Sequence, residues 1–301
     1  MTQATKRTIG ALTIAATALV LAGVSGARAS APAAEEKQPS IFDFIKPGGD
    51  AGRIIEGVFA GLKLIEAVGL ETDPQAERAY GEAIALGALS QYPLSNNEAL
   101  NKYVTMVGLA IVAASDNPSH EFQFGLLESD VPNAFATPHG VILISTGSLK
   151  LMRDESELAG VLAHEIAHVF GKHGVESVKN AKISKALVDG AMVAAGTQAQ
   201  AQFGVLADAG REVVLEKGYD RDTEYKADAM AVALTRSAGY DPAGLRRFLE
   251  RLNEAGGDHG AGSPFSTHPG HKDRIKRLKG LDGNGSGGGS TMAFRWISTV
   301  P

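Results

Sequence analysis

The chain has 301 residues, of which 44% are hydrophobic and 21% charged, and this composition excludes a largely disordered protein. It contains no cysteine, so disulfides, a lipidated N-terminal cysteine and thiolate metal ligands are excluded, and a metal site would have to use His, Asp and Glu. The 34 acidic residues outnumber the 29 basic ones, which argues against nucleic acid as a partner.

The first 29 residues have the pattern of a secretory signal peptide. A basic start at Lys6 and Arg7 is followed by an apolar run over residues 9–24 and by the small-x-small cleavage signal Ala27-Arg28-Ala29. We therefore predict a periplasmic or secreted protein that is cleaved after Ala29. An uncleaved anchor is the alternative, although the run is slightly shorter than the roughly 20 residues of a membrane span.

The segments that flank the central part of the chain differ from it in composition. Residues 30–75 are predicted to hold a short linker and an amphipathic helix, whose apolar residues recur at three- and four-residue steps over 51–68. This helix either faces the core or contacts a membrane surface or a partner. Residues 282–301 form a Gly-rich linker and a tail with the only Trp, Trp296; the tail is either disordered or docks into a groove.

Two helices are predicted before the central region. Pro74, which follows an aspartate, suits the first turn of a helix that extends to about Ser90. Ser95 and Glu98 have the spacing of a capping box, which predicts a second helix through Ala114.

A small sheet and a buried helix come next. Residues 121–127 and 141–145 have strand character and are separated by turn residues. The helix predicted after them begins near Asp154 and ends at Gly171 or Gly174. Because it is apolar almost all round, we expect it to be buried.

This helix contains the H-E-x-x-H pattern His164-Glu165-Ile166-Ala167-His168. Positions four apart lie one turn apart on a helix, so His164 and His168 can reach one tetrahedral metal ion. Glu165 lies about 100° further round, where it can deprotonate a zinc-bound water. A third ligand must then come from elsewhere in the chain.

Glu224 and Asp228 lie four residues apart on a helix predicted over residues 221–237. Two adjacent carboxylates repel each other unless a cation is near, so we predict Glu224 as the third ligand. Asp228 is predicted to accept the free N–H of a ligating imidazole. On spacing alone, an exposed acidic helix face is the more common arrangement.

A resemblance adds to this interpretation. The residues from Val161 to His168, followed by Glu224 to Asp228, resemble the HtpX-type zinc endopeptidases, a gluzincin family that includes the CAAX prenyl protease and the Oma-type proteases. The segments 133–136, 239–242 and 267–269 match further motifs of the family. The similarity covers residues 76–281, which we assign to one metallopeptidase domain, and is greatest to the soluble, exported bacterial branch.

The resemblance implies a mostly helical α+β fold with a zincin-like core, an active-site helix and a small β-sheet. It implies one Zn²⁺ per chain, held by His164, His168 and Glu224. Glu165 would be the general base and acid, and Asp228 would support a ligand.

The resemblance also implies roles for several further residues. Asn133, Ala134, Phe135 and Ala136 would form an edge strand or loop that binds an extended substrate, with a structural turn as the alternative.

His268 and Arg274 are candidates for stabilising the developing oxyanion, and His268 for contacting zinc in a resting state, with helix capping as the alternative for each. His173 is expected to be structural or exposed. Three further histidines are expected in plain loops: His139, His259 and His271.

The function predicted is zinc-dependent endopeptidase activity on extended or misfolded envelope proteins, through Glu-assisted attack of a zinc-bound water. The alternative is a zinc-dependent periplasmic binding or assembly factor with little proteolysis. Polypeptides are the expected substrates, and a membrane surface or outer-membrane proteins are further candidate partners. The Gly-rich C-terminal extension departs from the family pattern, so the resemblance does not indicate whether the cleft is open at rest.

Overall fold

A computed structural model of the chain describes residues 74–180, 218–255, 268, 270–283 and 290. The predicted signal peptide, the predicted helix at 51–68 and the tail around Trp296 lie outside these residues. Within the described part of the chain, every helix is too short or too polar to traverse a lipid bilayer.

The described elements confirm the predicted mostly helical α+β class with a small sheet. In chain order they are α1 (Pro74–Gln91), α2 (Glu98–Ala113), β1 (Gln123–Leu127), β2 (Ala134–Ala136), a 3₁₀ turn (Pro138–Gly140), β3 (Val141–Ser145), α3 (Thr146–Leu151), α4 (Glu155–Phe170), α5 (His173–Asn180), α6 (Arg221–Ser237), α7 (Gly244–Glu254) and α8 (His271–Leu281).

The start of α2 differs from the prediction. Asn97, and not Ser95, is the N-cap: its side chain accepts the N–H of Leu100 at 3.0 Å. Ser95 instead lies two residues earlier, where its hydroxyl accepts the N–H of Asn97 at 3.4 Å. Both residue types cap helices well, so spacing alone did not distinguish them.

The three strands form a mixed sheet in the order β1-β3-β2. β3 pairs in parallel with β1, from Gln123 opposite Val141, and antiparallel with β2, with Phe135 opposite Leu143. β3 is buried along its whole length, which explains why its sequence is a continuous apolar run without alternation. β2 is the short strand at one edge of this sheet.

Helix α4 is the central element, because it packs against α2, α6, α7 and β2. Its residues from Glu155 to Val169 are all buried. Asp154 caps it by accepting the N–H of Glu157 at 3.0 Å.

Close packing between α4 and α7 requires glycine on both helices. A Cβ at Gly160 would lie 2.4 Å from the backbone nitrogen of Leu245, and a Cβ at Gly244 would lie 1.9 Å from the carbonyl oxygen of Ser156. These distances are far below van der Waals contact, so α4 is held tightly along its N-terminal half.

Helix α6 agrees in both bounds with the helix predicted over 221–237. Asp220 caps its start by accepting the N–H of Thr223 at 3.0 Å, and Gly239 follows its end with a φ of +82°. The cap and the following glycine are local signals, which is why the sequence located this helix well.

Ser290 is hydrogen-bonded to residues near the start of α4 and the end of α6. Its N–H donates to the carbonyl of Gly239 at 3.1 Å, and its own carbonyl accepts from the Ser156 hydroxyl at 2.7 Å and from the N–H of Asp241 at 3.3 Å. Ser290 therefore lies beside the first turn of α4.

Candidate metal centre

The two histidines of α4 lie side by side in the core. His164 and His168 are both almost fully buried, and their Nε2 atoms are 3.0 Å apart. Glu224 enters from α6, with Oε2 at 3.4 Å from His164 Nε2 and Oε1 at 3.6 Å from His168 Nε2. The structure thus brings together the three residues predicted as ligands.

His268 completes the group. Its Nδ1 lies 2.9 Å from Glu224 Oε1 and 3.3 Å from His164 Nε2. One potential ligand atom from each of the four residues lies within 4.8 Å of the other three. Three imidazole nitrogens and one carboxylate oxygen form a donor set that suits tetrahedral zinc, so the residues present fit a metal ion.

The pKa values of two of these residues, Glu224 and His168, are shifted toward the forms that bind a metal. Burial alone would raise the pKa of the Glu224 carboxyl, but the neighbouring charges of His268 and Arg274 hold it well below its usual value. Burial and the charge of His164 lower the pKa of His168 well below 6.5. An ionised carboxylate and a neutral imidazole are the forms that bind metals.

Asp228 and Arg274 lie behind the ligands. Asp228 Oδ1 is 3.2 Å from His164 Nδ1, and the Arg274 guanidinium donates two hydrogen bonds to the same carboxylate, at 2.7 and 2.9 Å. Burial would raise the pKa of Asp228, yet Arg274 and His164 lower it to about 2. For His164, burial and Arg274 lower the pKa, but the hydrogen bonds to Asp228 and Glu224 prevail and raise it to about 9.

Arg274 also forms an ion pair with Glu224, with Nη1 at 2.8 Å from Oε2. It is 1% exposed, and its bonds to the two carboxylates occupy most of its donors. These contacts favour a role in anchoring Glu224 over direct contact with a substrate.

Glu165 is buried next to the group without belonging to it. Its Oε1 lies 3.5 Å from His268 Nε2 and accepts no hydrogen bond from any described residue. A buried carboxylate oxygen without such a bond is costly, so it is rarely kept without a purpose.

The segment from Asn133 to Ala136 lies at the sheet edge, close to α4. Its last three residues form β2, and the N–H of Asn133 donates to the Ser145 hydroxyl at 2.9 Å. A cleft of about 210 Å³ extends from the end of β2 to the C-terminal part of α4, with Ala136, Pro138, His168, Lys172 and Tyr219 in its lining.

Two residues near the group were not predicted to be there. The Tyr219 ring stacks on the His168 ring, with centroids 4.3 Å apart, and His173 is buried with its Nδ1 3.0 Å from His168 Nδ1. Tyr219 has no spacing signal in the sequence. His173 lies nine residues after His164, just beyond the end of the same helix, and that proximity along the chain is the one sequence signal for its position.

The expectation that His271 lies in a plain loop is wrong. It is the first residue of α8 and is 1% exposed. The glycine and proline residues before it suggested a loop, but the glycine next to it ends that loop with a φ of +84° and the helix begins immediately. His139 does lie in a turn, and His259 is outside the described residues.

Comparisons with known proteins agree with this geometry. The chain is 29% identical over 205 residues to the putative beta-barrel assembly-enhancing protease of Vibrio cholerae, which covers 66% of this chain and 42% of that protein. It is 29% identical over 178 residues to the mitochondrial metalloendopeptidase OMA1 of Schizosaccharomyces pombe, covering 59% of this chain and 51% of that protein. For the beta-barrel assembly-enhancing protease of Escherichia coli K12, the identity is 29% over 167 residues, or 53% of this chain and 34% of that protein.

The chain therefore spans between about a third and a half of the length of these relatives. The model of peptidase family M48 matches residues 98–282, which is more than half of the chain and includes every residue of the four-member group. On this match, the chain belongs to peptidase family M48.

Proposed function

We propose that the protein is a zinc-dependent endopeptidase that cleaves extended or misfolded polypeptides. The observation that carries the proposal is the buried group of His164, His168, Glu224 and His268, with the Glu165 carboxylate beside it. A buried site with this donor set and an adjacent base suits metal-assisted hydrolysis.

In this proposal His164, His168 and Glu224 hold one zinc ion per chain. The ion supplies a positive charge that polarises the scissile carbonyl and makes water more acidic. Glu165 accepts the proton of the attacking water at its carboxylate and passes it to the leaving amine. Asp228 keeps His164 oriented through the 3.2 Å contact at Nδ1.

His268 is proposed to act at the same metal site. Its Nδ1 is near the ligand atoms while its Nε2 faces Glu165, so it contacts both the metal position and the base. In this closed arrangement it is suited to occupy a ligand position at rest. Once displaced from that ligand position by a substrate, the His268 imidazole would still be close enough to stabilise an oxyanion.

The substrate is proposed to bind along the edge of β2. Residues 133–136 end one side of the sheet, so an extended chain could add beside Ala134, Phe135 and Ala136 by backbone pairing. Recognition through the backbone suits substrates that are locally unfolded. The names of two relatives refer to beta-barrel assembly, which supports envelope proteins as the substrate class and the periplasm as the location.

The test is Glu165→Gln, with Glu176→Gln as the matched control because Glu176 is an exposed acid on α5. We expect Glu165→Gln to retain zinc and to lose about 100-fold or more of the cleavage rate on unfolded casein, since the proton acceptor is gone. The control is expected to cleave like the wild type. Equal cleavage by all three proteins contradicts the assignment of Glu165.

The second candidate function is a zinc-dependent binding or assembly factor with little proteolysis. The observation in its favour is that all four members of the group are 3% exposed or less, which suits a structural metal site. If wild type and Glu165→Gln both bind unfolded casein and neither cleaves it, this function replaces the first.

A further inference from the structure

The chain reverses sharply after α4. Gly171 caps the helix, and Lys172 has a φ of +53°, a left-handed conformation that is uncommon for residues other than glycine. The reversal starts α5 at His173 and returns the His173 side chain toward the last turns of α4, where it is buried. A strained residue at this point suggests that the returning side chain is needed there.

Gly171 provides the space for this side chain. A Cβ at Gly171 would lie 2.4 Å from Nε2 and 2.6 Å from Cε1 of the His173 ring. Any larger residue would therefore displace the imidazole. The turn at Lys172 and the lack of a side chain at Gly171 together fix the position of the His173 ring.

That ring contacts His168 on the side away from the metal group. His168 Nε2 faces His164 and Glu224, so Nε2 must carry a lone pair if it is to bind a metal. The hydrogen of the neutral ring is then on Nδ1, which lies 3.0 Å from His173 Nδ1 and can donate to it. Tyr219 stacks on the His168 ring and restricts its tilt.

We propose that His173 is a positioning residue for the His168 ligand: it accepts the Nδ1–H of His168 and so selects the tautomer and ring orientation that present Nε2 to the metal. This inference rests on the metal site proposed above. The two histidines of the H-E-x-x-H motif then have different supports. His164 faces the carboxylate of Asp228, whereas His168 faces a second imidazole.

The experiment measures zinc affinity of the full chain by competition with a chromophoric chelator, and the absorption spectrum of the Co²⁺-substituted protein. His173→Phe keeps a ring but removes the acceptor, and His173→Gln restores an acceptor. His120→Phe is the matched control. His120 packs against Phe170 at the same end of α4, and its ring contacts within the described residues do not include His168.

We expect His173→Phe to weaken zinc binding about 10- to 100-fold and to change the Co²⁺ spectrum, since loss of such outer contacts has effects of this size. His173→Gln is expected to recover part of the affinity, and His120→Phe to stay within about threefold of the wild type. Gly171→Ala, which keeps His173 but displaces its ring, is expected to weaken zinc binding as well, and it serves as the test if His173→Phe does not fold.

Zinc affinity within threefold of the wild type in both His173→Phe and Gly171→Ala, with unchanged Co²⁺ spectra, overturns the positioning role. In that case the proposed function still stands if the wild type binds one zinc and Glu165→Gln is inactive. A wild-type protein that binds no zinc overturns the proposed function and this inference together.

Discussion

The buried guanidinium of Arg274 is expected to be a major source of stability for the metal-free protein. It is 1% exposed and lies between two carboxylates, with N–O distances of 2.7 and 2.9 Å to Asp228 and 2.8 Å to Glu224. Arg274→Met keeps an unbranched side chain but leaves both buried carboxylates without the guanidinium that pairs with them. Removing one partner of a buried ion pair costs about 3–5 kcal/mol.

That loss is a large part of a typical free energy of unfolding, which is about 5–15 kcal/mol for a domain. It would be measured by urea denaturation of chelator-treated protein, followed by circular dichroism. The second variant is Asp228→Leu, alone and together with Arg274→Met. Because one carboxylate is removed with its cation, we expect the double variant to lose about 1–3 kcal/mol less than the sum of the two single losses.

Arg221→Met is the control for charge removal as such. Its ion pair with Asp273 is 3.3 Å long but largely exposed, so we expect a loss of at most about 1 kcal/mol. The reasoning is refuted if Arg274→Met loses no more than Arg221→Met, or if the losses of Arg274→Met and Asp228→Leu add within about 0.5 kcal/mol.

Three further predictions use the same denaturation assay. Asn97→Ala removes the cap of α2 and is expected to cost about 1 kcal/mol; an unchanged midpoint would contradict the assignment of the cap. Gly244→Ala places a Cβ 1.9 Å from a carbonyl oxygen of α4 and is expected to lower the free energy of unfolding by about 1–3 kcal/mol or more. The control is Gly280→Ala, which is expected to be neutral or stabilising because a Cβ at Gly280 has no atom within 4 Å. Similar losses of stability in the two glycine variants would show that the contact between α4 and α7 does not require glycine at position 244.

The third concerns pH in metal-free protein. The folded-state pKa of His168 is well below 6.5, so its contribution to stability is complete above pH 6.5 and is lost as the pH falls. The folded-state pKa of His164 is about 9, so its contribution to stability is complete below pH 6.5 and is lost as the pH rises through 9. We expect stability to be greatest near pH 6.5, and a monotonic profile between pH 5 and 9 would contradict this.

The parts of the fold that the sequence located well depend on local signals. The bounds of α6 follow from an aspartate cap and a glycine after the helix, and β3 follows from an apolar run between turns. In the same way, the spacing within the H-E-x-x-H motif places His164 and His168 together on one helix face.

What sequence could not locate depends on contacts between distant segments. The burial of His271 results from the packing of α8, and nothing in its neighbours along the chain indicates that packing. The contact of His173 with His168 depends on the left-handed turn at Lys172, which the residue types do not require. Likewise, the ion pairs of Arg274 join helices that only the tertiary fold brings together.

The ligand group combines one local pair with two distant residues, and this has a consequence for folding kinetics. His164 and His168 are in place as soon as α4 forms, but His268 lies 104 residues after His164, so it joins only after a large loop has closed. Two imidazoles alone bind zinc weakly compared with the full set. We therefore expect zinc to leave the rate of folding nearly unchanged and to slow unfolding, so that the ion mainly lengthens the lifetime of the native protein.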